Sequence, residues 1–275
     1  MHPAYTTVII AFIQWADDGT IQDTISDPNS SFNFTRDHVA QLKKQRKGRK
    51  VLVTLGGGAA GILNCGMANP STFAKNMVSG LKGIVAQYGF DGVDFDMEHR
   101  AAGGSSDYVK CASIVASVLK SLHDAGLVTS MAPQMGNVNP FDPADSVSAG
   151  QNELAPLLGM AMNCLTFISP QMYNTWAAVE TQAYAIKYAT AVTQQGFHVT
   201  IDHKRYEIMI PASKLALGYP ATAKGASSGY LAPSSLHDIV TSLRTQGISL
   251  GGMMTWSIGW DQQAGFPWAK AMSNL

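Results

Sequence analysis

The stretch FDGVDFDME, residues 90–98, alternates acidic and large apolar side chains along one predicted β-strand. Because successive side chains of a strand point to opposite faces, Asp94, Asp96 and Glu98 share one face. Neighbouring acids start about 7 Å apart along the backbone, too close for all three to ionise in a partly dehydrated site. An acid that keeps its proton near neutral pH can act as a general acid. Acid–base chemistry is therefore preferred over two alternatives, a cation site and a solvated strand end.

Six further runs of β-forming residues flank this strand, and each is followed by a stretch with helical spacing of its apolar residues. The seven runs are residues 8–12, 51–55, 92–96, 127–132, 165–172, 215–219 and 252–257. This alternation predicts a parallel sheet, either doubly wound or closed into a (β/α)8 barrel. The 275 residues show no linker or break in composition, so we expect one catalytic barrel domain over residues 1–275. A typical barrel of this class has about 250 residues.

A glycine-rich stretch favours the doubly wound alternative. GGGAAG, residues 56–61, follows the second run and fits the G-x-G-x-x-G pattern of dinucleotide-binding sites. Such a site also needs an acidic residue about 20 positions further on, which binds the ribose. Residues 62–90 contain neither Asp nor Glu. We therefore expect no nucleotide cofactor, and the barrel is the preferred fold.

Catalytic residues of (β/α) barrels lie at the carboxyl ends of the strands, and several runs end in side chains suited to sugars. Gln134 follows the fourth run, Gln171, Tyr173 and Asn174 lie at the end of the fifth, and Trp256 lies in the last. Aromatic rings offer flat apolar faces to sugar rings, and amides hydrogen-bond to hydroxyls. Together with the acids, these residues predict a carbohydrate site.

The composition argues against several kinds of partner. The 19 basic and 19 acidic side chains give a net charge of zero, and charged residues make up 14% of the chain. Because this balance is not typical of proteins that bind polyanions, we expect neither nucleic acid nor a membrane as partner. A basic stretch, residues 43–50, is interpreted as a helix C-terminus whose cations complement the helix dipole. The first residues show no secretory leader.

Three cysteines, Cys65, Cys111 and Cys164, occur without C-x-x-C spacing. Their odd number and spacing indicate neither a disulfide framework nor a zinc site. We interpret all three as buried, small apolar residues, and we expect no metal ion.

The motifs resemble those of the family 18 glycoside hydrolases, the chitinase family, over nearly the whole chain. The family's D-x-x-D-x-D-x-E signature is matched by Asp91, Asp94, Asp96 and Glu98. Its S-x-G-G motif appears as TLGG, residues 54–57, in which Thr54 keeps the hydroxyl. QMYN, residues 171–174, and MMTWS, residues 253–257, resemble the motifs of its sixth and last strands. Residues 220–250 leave no room for an α+β insertion, which makes the chain similar to small bacterial and plant-type members.

The resemblance implies a substrate-assisted mechanism that needs no cofactor. Glu98 protonates the glycosidic oxygen, and the substrate's 2-acetamido carbonyl attacks the anomeric carbon. Asp96 binds the acetamido N–H, and Asp94 shares a proton with Asp96. Tyr173 holds the acetamido group in place, and Trp256 lies under the sugar ring.

The resemblance also implies the substrate and its contacts. The residues expected to bind substrate are Trp256, Gln171, Met172, Asn174, Gln134, Phe12 and Gly57. We expect hydrolysis of chitin or its oligosaccharides, with endo-type cutting preferred and secretion following from the substrate. The alternatives are an endo-β-N-acetylglucosaminidase acting on N-glycan cores and a non-catalytic chitin-binding lectin. Carboxylate spacing alone would suggest inversion, whereas the resemblance implies retention.

The strand count departs from the family pattern. The acid motif lies on the third recognisable strand, whereas the family has it on the fourth, so the first strand of the (β/α)8 barrel is missing from the seven recognised here. An incompletely closed barrel leaves unpaired strand edges. We therefore expect a partner chain or a loop to cover such an edge.

Overall fold

The computed structural model describes residues 1–26, 33–58, 60, 63, 67, 69–98, 105–175 and 180–273. The strands are Thr7–Trp15 (β1), Ile21–Gln22 (β2), Lys50–Gly56 (β3), Gly92–Asp96 (β4), Val128–Met131 (β5), Phe167–Ile168 (β6), Phe197–Ile201 (β7), Lys204–Ile208 (β8), Ala216–Pro220 (β9) and Gly252–Trp256 (β10). The α-helices are Arg36–Lys44 (α1), Pro70–Tyr88 (α2), Ser105–Asp124 (α3), Ala155–Ala161 (α4), Gln182–Thr190 (α5), Pro233–Thr245 (α6), Ile258–Gln263 (α7) and Pro267–Met272 (α8).

Each of the seven predicted runs contains a strand, which confirms the βα alternation. Two elements were not predicted. One is the short strand β2, and the other is the antiparallel hairpin of β7 and β8. The hairpin turns at Asp202 and His203, both with positive φ. Asp-His lacks the glycine that usually marks such a turn in a sequence.

The chain divides into two compact units. The N-terminal unit consists of Tyr5–Met131 and Pro156–Thr166, and the C-terminal unit of Met1–Ala4, Ala132–Ala155 and Phe167–Leu275. The prediction of a single domain stays a prediction.

The N-terminal unit is built on a largely parallel sheet. Its strands lie in the order β2, β1, β3, β4, β5, and only β2 runs antiparallel to its neighbour. Strand β3 is buried from Val51 onward, as expected for a strand covered on both faces. Helix α2 buries Phe73, Met77 and Leu81, which recur every four residues on one face. Helix α2 contacts the acidic strand β4 and the neighbouring helix α3.

The outer edge of β1 is partly covered. Strand β2 pairs with Gln14 and Trp15 at the carboxyl end of β1. Among the described residues, the other sheet pairings of β1 are made with β3. The prediction that a partner chain or a loop covers an open strand edge stays a prediction.

The C-terminal unit continues the alternation with shorter and less regular pairings. Gln171 forms isolated parallel bridges with Gln134 on one side and Gly218 on the other. Strand β9, which contains Gly218, pairs in parallel with β10 over five residues, and Met254 lies opposite Gly218. A row of neighbouring backbones therefore leads from Gln134 to Met254.

The basic stretch ends helix α1, as interpreted, although the helix stops at Lys44. Lys43 lies 3.0 Å from Asp91 Oδ2 and donates to the carbonyl of Gly89. Asp91 Oδ2 also accepts a hydrogen bond from the Val51 amide, at 2.8 Å. Asp91 therefore joins a helix end to two strands at the amino end of β4, at the opposite end from the other acids of its motif.

The interpretation of the cysteines was wrong for Cys111, which is disulfide-bonded. An odd number of cysteines leaves one unpaired but does not exclude a bond, and sequence spacing does not report distance in the fold. Cys164 is a free thiol, and Cys65 lies outside the described residues. Among the helices of the described ranges, none has the length and apolarity needed to cross a bilayer.

Candidate active site

Asp94, Asp96 and Glu98 form what we call the acidic row. Asp94 is its most deeply buried member, and the Asp94 carboxyl group is bound by two hydroxyls. The parallel register sets Thr54 of β3 and Ser130 of β5 directly beside Asp94. Thr54 Oγ1 donates to Asp94 Oδ2 at 2.8 Å, and Ser130 Oγ donates to Oδ1. Burial raises the pKa of Asp94, and these two hydrogen bonds partly offset the rise by lowering it. A buried carboxyl of this kind favours the protonated form.

The three acids rise from the core towards solvent. Asp94 is 2% exposed, Asp96 is 8% exposed and Glu98, just beyond β4, is half-buried. Val93 and Phe95, on the opposite face, are fully buried. Glu98 is therefore the most accessible of the three acids. The prediction that Asp94 shares its proton with Asp96 stays a prediction.

The glycines after β3 leave space for the backbone and side chains of the acidic strand. Gly56 has φ of +117°, and a Cβ there would stand 2.1 Å from the Asp96 carbonyl oxygen. The Gly57 amide donates to the same oxygen at 2.8 Å, and a Cβ on Gly57 would meet the Phe12 ring at 2.4 Å. A Cβ on Gly58 would stand 3.4 Å from Glu98 Oε2. Close approach explains the glycines at positions 56 and 57.

Phe12 is brought to this place by β1, and its ring packs against the Gly57 backbone. Gln14, two residues further along β1, donates from Nε2 to the Gly56 carbonyl at 2.7 Å. The ends of β1, β3 and β4 are thereby fixed to one another beside the acids. Substrate binding by Phe12 and Gly57 stays a prediction.

Within the C-terminal unit, Gln171 and Gln134 are neighbours by a backbone bridge. The buried Gln171 side chain donates from Nε2 to the Ala132 carbonyl at 2.9 Å, so this amide fixes its own backbone surroundings. Met172 is buried, and its amide donates to the Gly218 carbonyl at 2.9 Å. A direct role of these three side chains in substrate binding stays a prediction.

Tyr173 and Asn174 follow in the loop after β6. Tyr173 is buried, and Gly229 packs so closely that a Cβ there would stand 2.5 Å from Tyr173 Cα. Asn174 Oδ1 accepts hydrogen bonds from both the amide and the hydroxyl of Ser227, each at 2.8 Å. The Asn174 side-chain oxygen thus binds a neighbouring loop, and substrate binding by Asn174 stays a prediction.

Trp256 is the last residue of β10, and 37% of its surface is exposed. A large aromatic side chain left open at a strand end is suited to lie against a sugar ring. Its carbonyl accepts a hydrogen bond from the Ala221 amide at 2.8 Å. The role of Trp256 as a platform for the sugar stays a prediction.

Sequence reasoning missed Ser130 and Glu180. Ser130 becomes an Asp94 partner only through the register of β4 and β5, which single-sequence patterns do not give. Glu180 Oε1 accepts hydrogen bonds from the amide and hydroxyl of Thr175 and from the Ser228 hydroxyl. Within the described ranges, no group of three or more His, Cys, Asp or Glu side chains is arranged to hold a metal ion.

Comparison with known proteins gives a consistent result. A family model described as "Glycosyl hydrolases family 18" matches residues 2–269. A chitinase of Enterococcus faecalis is 28% identical over 281 residues, which cover 95% of this chain and 73% of that protein. Chitinase Chi52 of Paenibacillus xylanexedens is 26% identical over 94% of this chain, which spans about half of that relative (54%).

A solved structure extends the likeness to the fold. A family GH18 chitinase from Chromobacterium violaceum has a TM-score of 0.76 at 24% identity, covering 98% of this chain and 76% of that one. This similarity shows the fold class, an α/β fold of the (β/α)8 TIM-barrel type, as predicted.

Proposed function

Because the chain belongs to glycosyl hydrolases family 18, we propose that it hydrolyses β-1,4 linkages between N-acetylglucosamine units of chitin or chitooligosaccharides. It is a glycoside hydrolase by family, and relatives named as chitinases support the choice of substrate. The retaining, substrate-assisted route and the endo mode are part of the proposal.

The observation that carries the proposal is the graded burial of the three acids on one strand. Asp94 is buried and bound by two hydroxyls, and Glu98 is the most accessible of the three. A general acid has to reach the leaving oxygen of a substrate, so Glu98 is the candidate proton donor. Burial raises the pKa of Asp94, which favours its protonated form and a lower negative charge beneath Asp96 and Glu98.

In the proposed reaction, the Glu98 carboxyl gives its proton to the glycosidic oxygen as the C1–O bond breaks. The acetamido carbonyl oxygen of the same sugar forms a bond to C1, which produces an oxazolinium ion. Water then attacks C1 as the bond between C1 and the acetamido oxygen breaks, and the water gives a proton back to Glu98. No enzyme nucleophile is needed, and the configuration at C1 is retained because it is inverted twice.

The remaining roles follow from this scheme. Asp96 accepts a hydrogen bond from the acetamido N–H and stabilises the positive charge that develops on the ring. Tyr173 holds the acetamido group in place, and Trp256 stacks against the sugar. Holding the internal nucleophile near C1 gives it a high effective concentration.

Two features support the endo mode and the location outside the cell. The segment between β9 and β10 contains one helix, α6, and no inserted α+β domain that would wall a deep cleft. An open groove accommodates the interior of a polymer. The disulfide at Cys111 suits an oxidising compartment outside the cytosol, where chitin is found.

Turnover of a chromogenic N,N′-diacetylchitobioside and of chitohexaose tests the proposal, with an N-glycosylated protein as a second substrate. We expect release of chromophore and cleavage of internal bonds of the hexaose. Release of N-glycans without chitohexaose cleavage would instead identify an endo-β-N-acetylglucosaminidase. Binding of chitohexaose without any cleavage would identify a lectin.

A further inference from the structure

The loop after β9, residues 221–230, joins the two residues proposed to contact the sugar. We call it the bracing loop. At its start, the Ala221 amide donates to the Trp256 carbonyl, and a Cβ on Gly225 would stand 2.6 Å from the same oxygen. Near its end, Gly229 packs against Tyr173 Cα. Both contacts lie within the C-terminal unit.

Close packing at Gly229 leaves little freedom for substitution. Its φ is +84°, and a Cβ would stand 2.5 Å from Tyr173 Cα and 2.8 Å from the Met172 carbonyl oxygen. Only glycine combines this backbone conformation with such an approach. The position of the loop therefore bears directly on the position of Tyr173.

Side-chain hydrogen bonds fix the same end of the loop. Glu180 Oε1 accepts from Ser228 Oγ at 2.5 Å, from the Thr175 amide at 3.0 Å and from Thr175 Oγ1 at 3.2 Å. Thr175 lies two residues after Tyr173, and Ser228 directly precedes Gly229. The contacts thus form a closed ring, from Tyr173 through Thr175, Glu180, Ser228 and Gly229 back to Tyr173.

Within this ring, Glu180 Oε1 alone binds both backbone segments, the one that contains Thr175 and the one that contains Ser228. Hydrogen bonds to a charged acceptor are stronger than those between neutral groups. Asn174 contributes a parallel link through Ser227, but with a neutral amide oxygen. Glu180 is half-buried, so its hydrogen bonds are partly screened from water.

We propose that Glu180 is a positioning residue that anchors the bracing loop and thereby fixes Tyr173 for catalysis. The effect on catalysis rests on the function proposed above, whereas the anchoring of the loop does not. Glu180 touches no reacting atom in this account and acts through Tyr173.

Limited proteolysis tests the anchoring independently of activity. Lys224 is exposed in the bracing loop and offers trypsin a cleavage site. We expect trypsin to cleave Glu180→Ala after Lys224 about tenfold faster than the wild type, because a charge-assisted hydrogen-bond link is lost. Mass spectrometry monitors the cleavage. Glu180→Gln keeps one acceptor oxygen, so its rate of cleavage should lie between those of Glu180→Ala and the wild type. Glu207→Ala removes an exposed carboxylate of the same unit and should match the wild type.

Kinetics on chitohexaose test the route through Tyr173. We expect Glu180→Ala to lower kcat by about tenfold, and to lower it much less when Tyr173→Phe is already present, because coupled residues are not additive. If Glu180→Ala does not fold, Ser228→Ala removes one hydroxyl of the same ring and takes its place. Unchanged cleavage after Lys224, or additive losses of kcat, would overturn the proposal. A wild type without turnover would contradict the proposed function, and the proteolysis would still decide the anchoring.

Discussion

The acids of the N-terminal unit and the residues of the C-terminal unit that are proposed to contact the sugar are positioned by different means. Asp94 and Asp96 lie on a regular strand with parallel neighbours on both sides, and backbone register brings Thr54 and Ser130 to Asp94. Tyr173 lies in a loop whose neighbours are fixed by side chains and by close glycine contacts. A ladder of backbone bonds tolerates the loss of one side chain better than a loop does. Substitutions in the acidic row should therefore change the chemical step, whereas substitutions in the Tyr173 loop should change the position of Tyr173.

The largest expected effect is that of Glu98→Gln, which removes the proton donor and leaves the shape of the site. We expect kcat on chitohexaose to fall by roughly 10²–10⁴-fold, the usual contribution of general acid catalysis. Calorimetric affinity for the oligosaccharide should be retained. Glu207→Gln changes an exposed carboxylate outside the acidic row and should leave kcat unchanged. Equal activity of Glu98→Gln and wild type would remove Glu98 from the mechanism.

The next effect is that of Gly56→Ala on stability. A Cβ at this position meets the Asp96 carbonyl oxygen, and the backbone is held at positive φ. We expect a loss of roughly 2–4 kcal/mol in the free energy of unfolding, measured by denaturant titration. Gly83 of α2 has open space at its Cβ position. Gly83→Ala should gain about 0.5–1 kcal/mol from helix propensity. Equal outcomes for both variants would contradict the close approach described at Gly56.

A smaller effect concerns the proton on Asp94. Burial raises the pKa of Asp94 above its ordinary 3.8, so the folded protein holds this proton where the unfolded chain has lost it. The free energy of unfolding therefore falls as pH rises through that window, by about 1.4 kcal/mol per pH unit. Asp94→Asn has no such proton.

Thermal unfolding as a function of pH measures this contribution. The stability of Asp94→Asn relative to wild type should rise with pH above 4 and then level off. Asp124 is a matched control, because Lys120 lowers the pKa of this exposed carboxyl, and any stability it adds is lost as pH falls. A difference between Asp94→Asn and wild type that is independent of pH would show that Asp94 is ionised in the folded protein.

The smallest effect is expected for Asp91, the first acid of the motif. It binds Lys43 and the Val51 amide at the amino end of β4. Asp91→Asn keeps an oxygen for the amide and loses a partly exposed ion pair, so we expect about 1 kcal/mol of destabilisation or less. Hydrolysis and its pH profile should stay as in wild type. A shifted pH profile would link Asp91 to the acids at the other end of the strand.

What the sequence reveals differs between the two units for a physical reason. Strand alternation is a local property, so the common face of Asp94, Asp96 and Glu98 was predictable from nine residues. The partner Ser130 depends on strand register, and the disulfide at Cys111 depends on distance in the fold. Neither strand register nor distance in the fold can be inferred from a local sequence pattern.

The irregular loops of the C-terminal unit were the least predictable. Amide and aromatic residues were recognised there as candidates, but not their contacts. The hydrogen bonds from Ser227 to the Asn174 side-chain oxygen, for example, were not foreseen. Glu180 escaped notice because it belongs to no motif and because one of its hydrogen-bond partners, Ser228, is distant in sequence.

A time course of chitohexaose hydrolysis, followed by the ¹H NMR signals of the anomeric protons, distinguishes attack by the acetamido group from attack by water. We expect the wild type first to release products with the β configuration, which then equilibrate, and Glu98→Gln to release none in the same time. Initial products with the α configuration would rule out the substrate-assisted route, because they would require direct attack by water in place of the acetamido group.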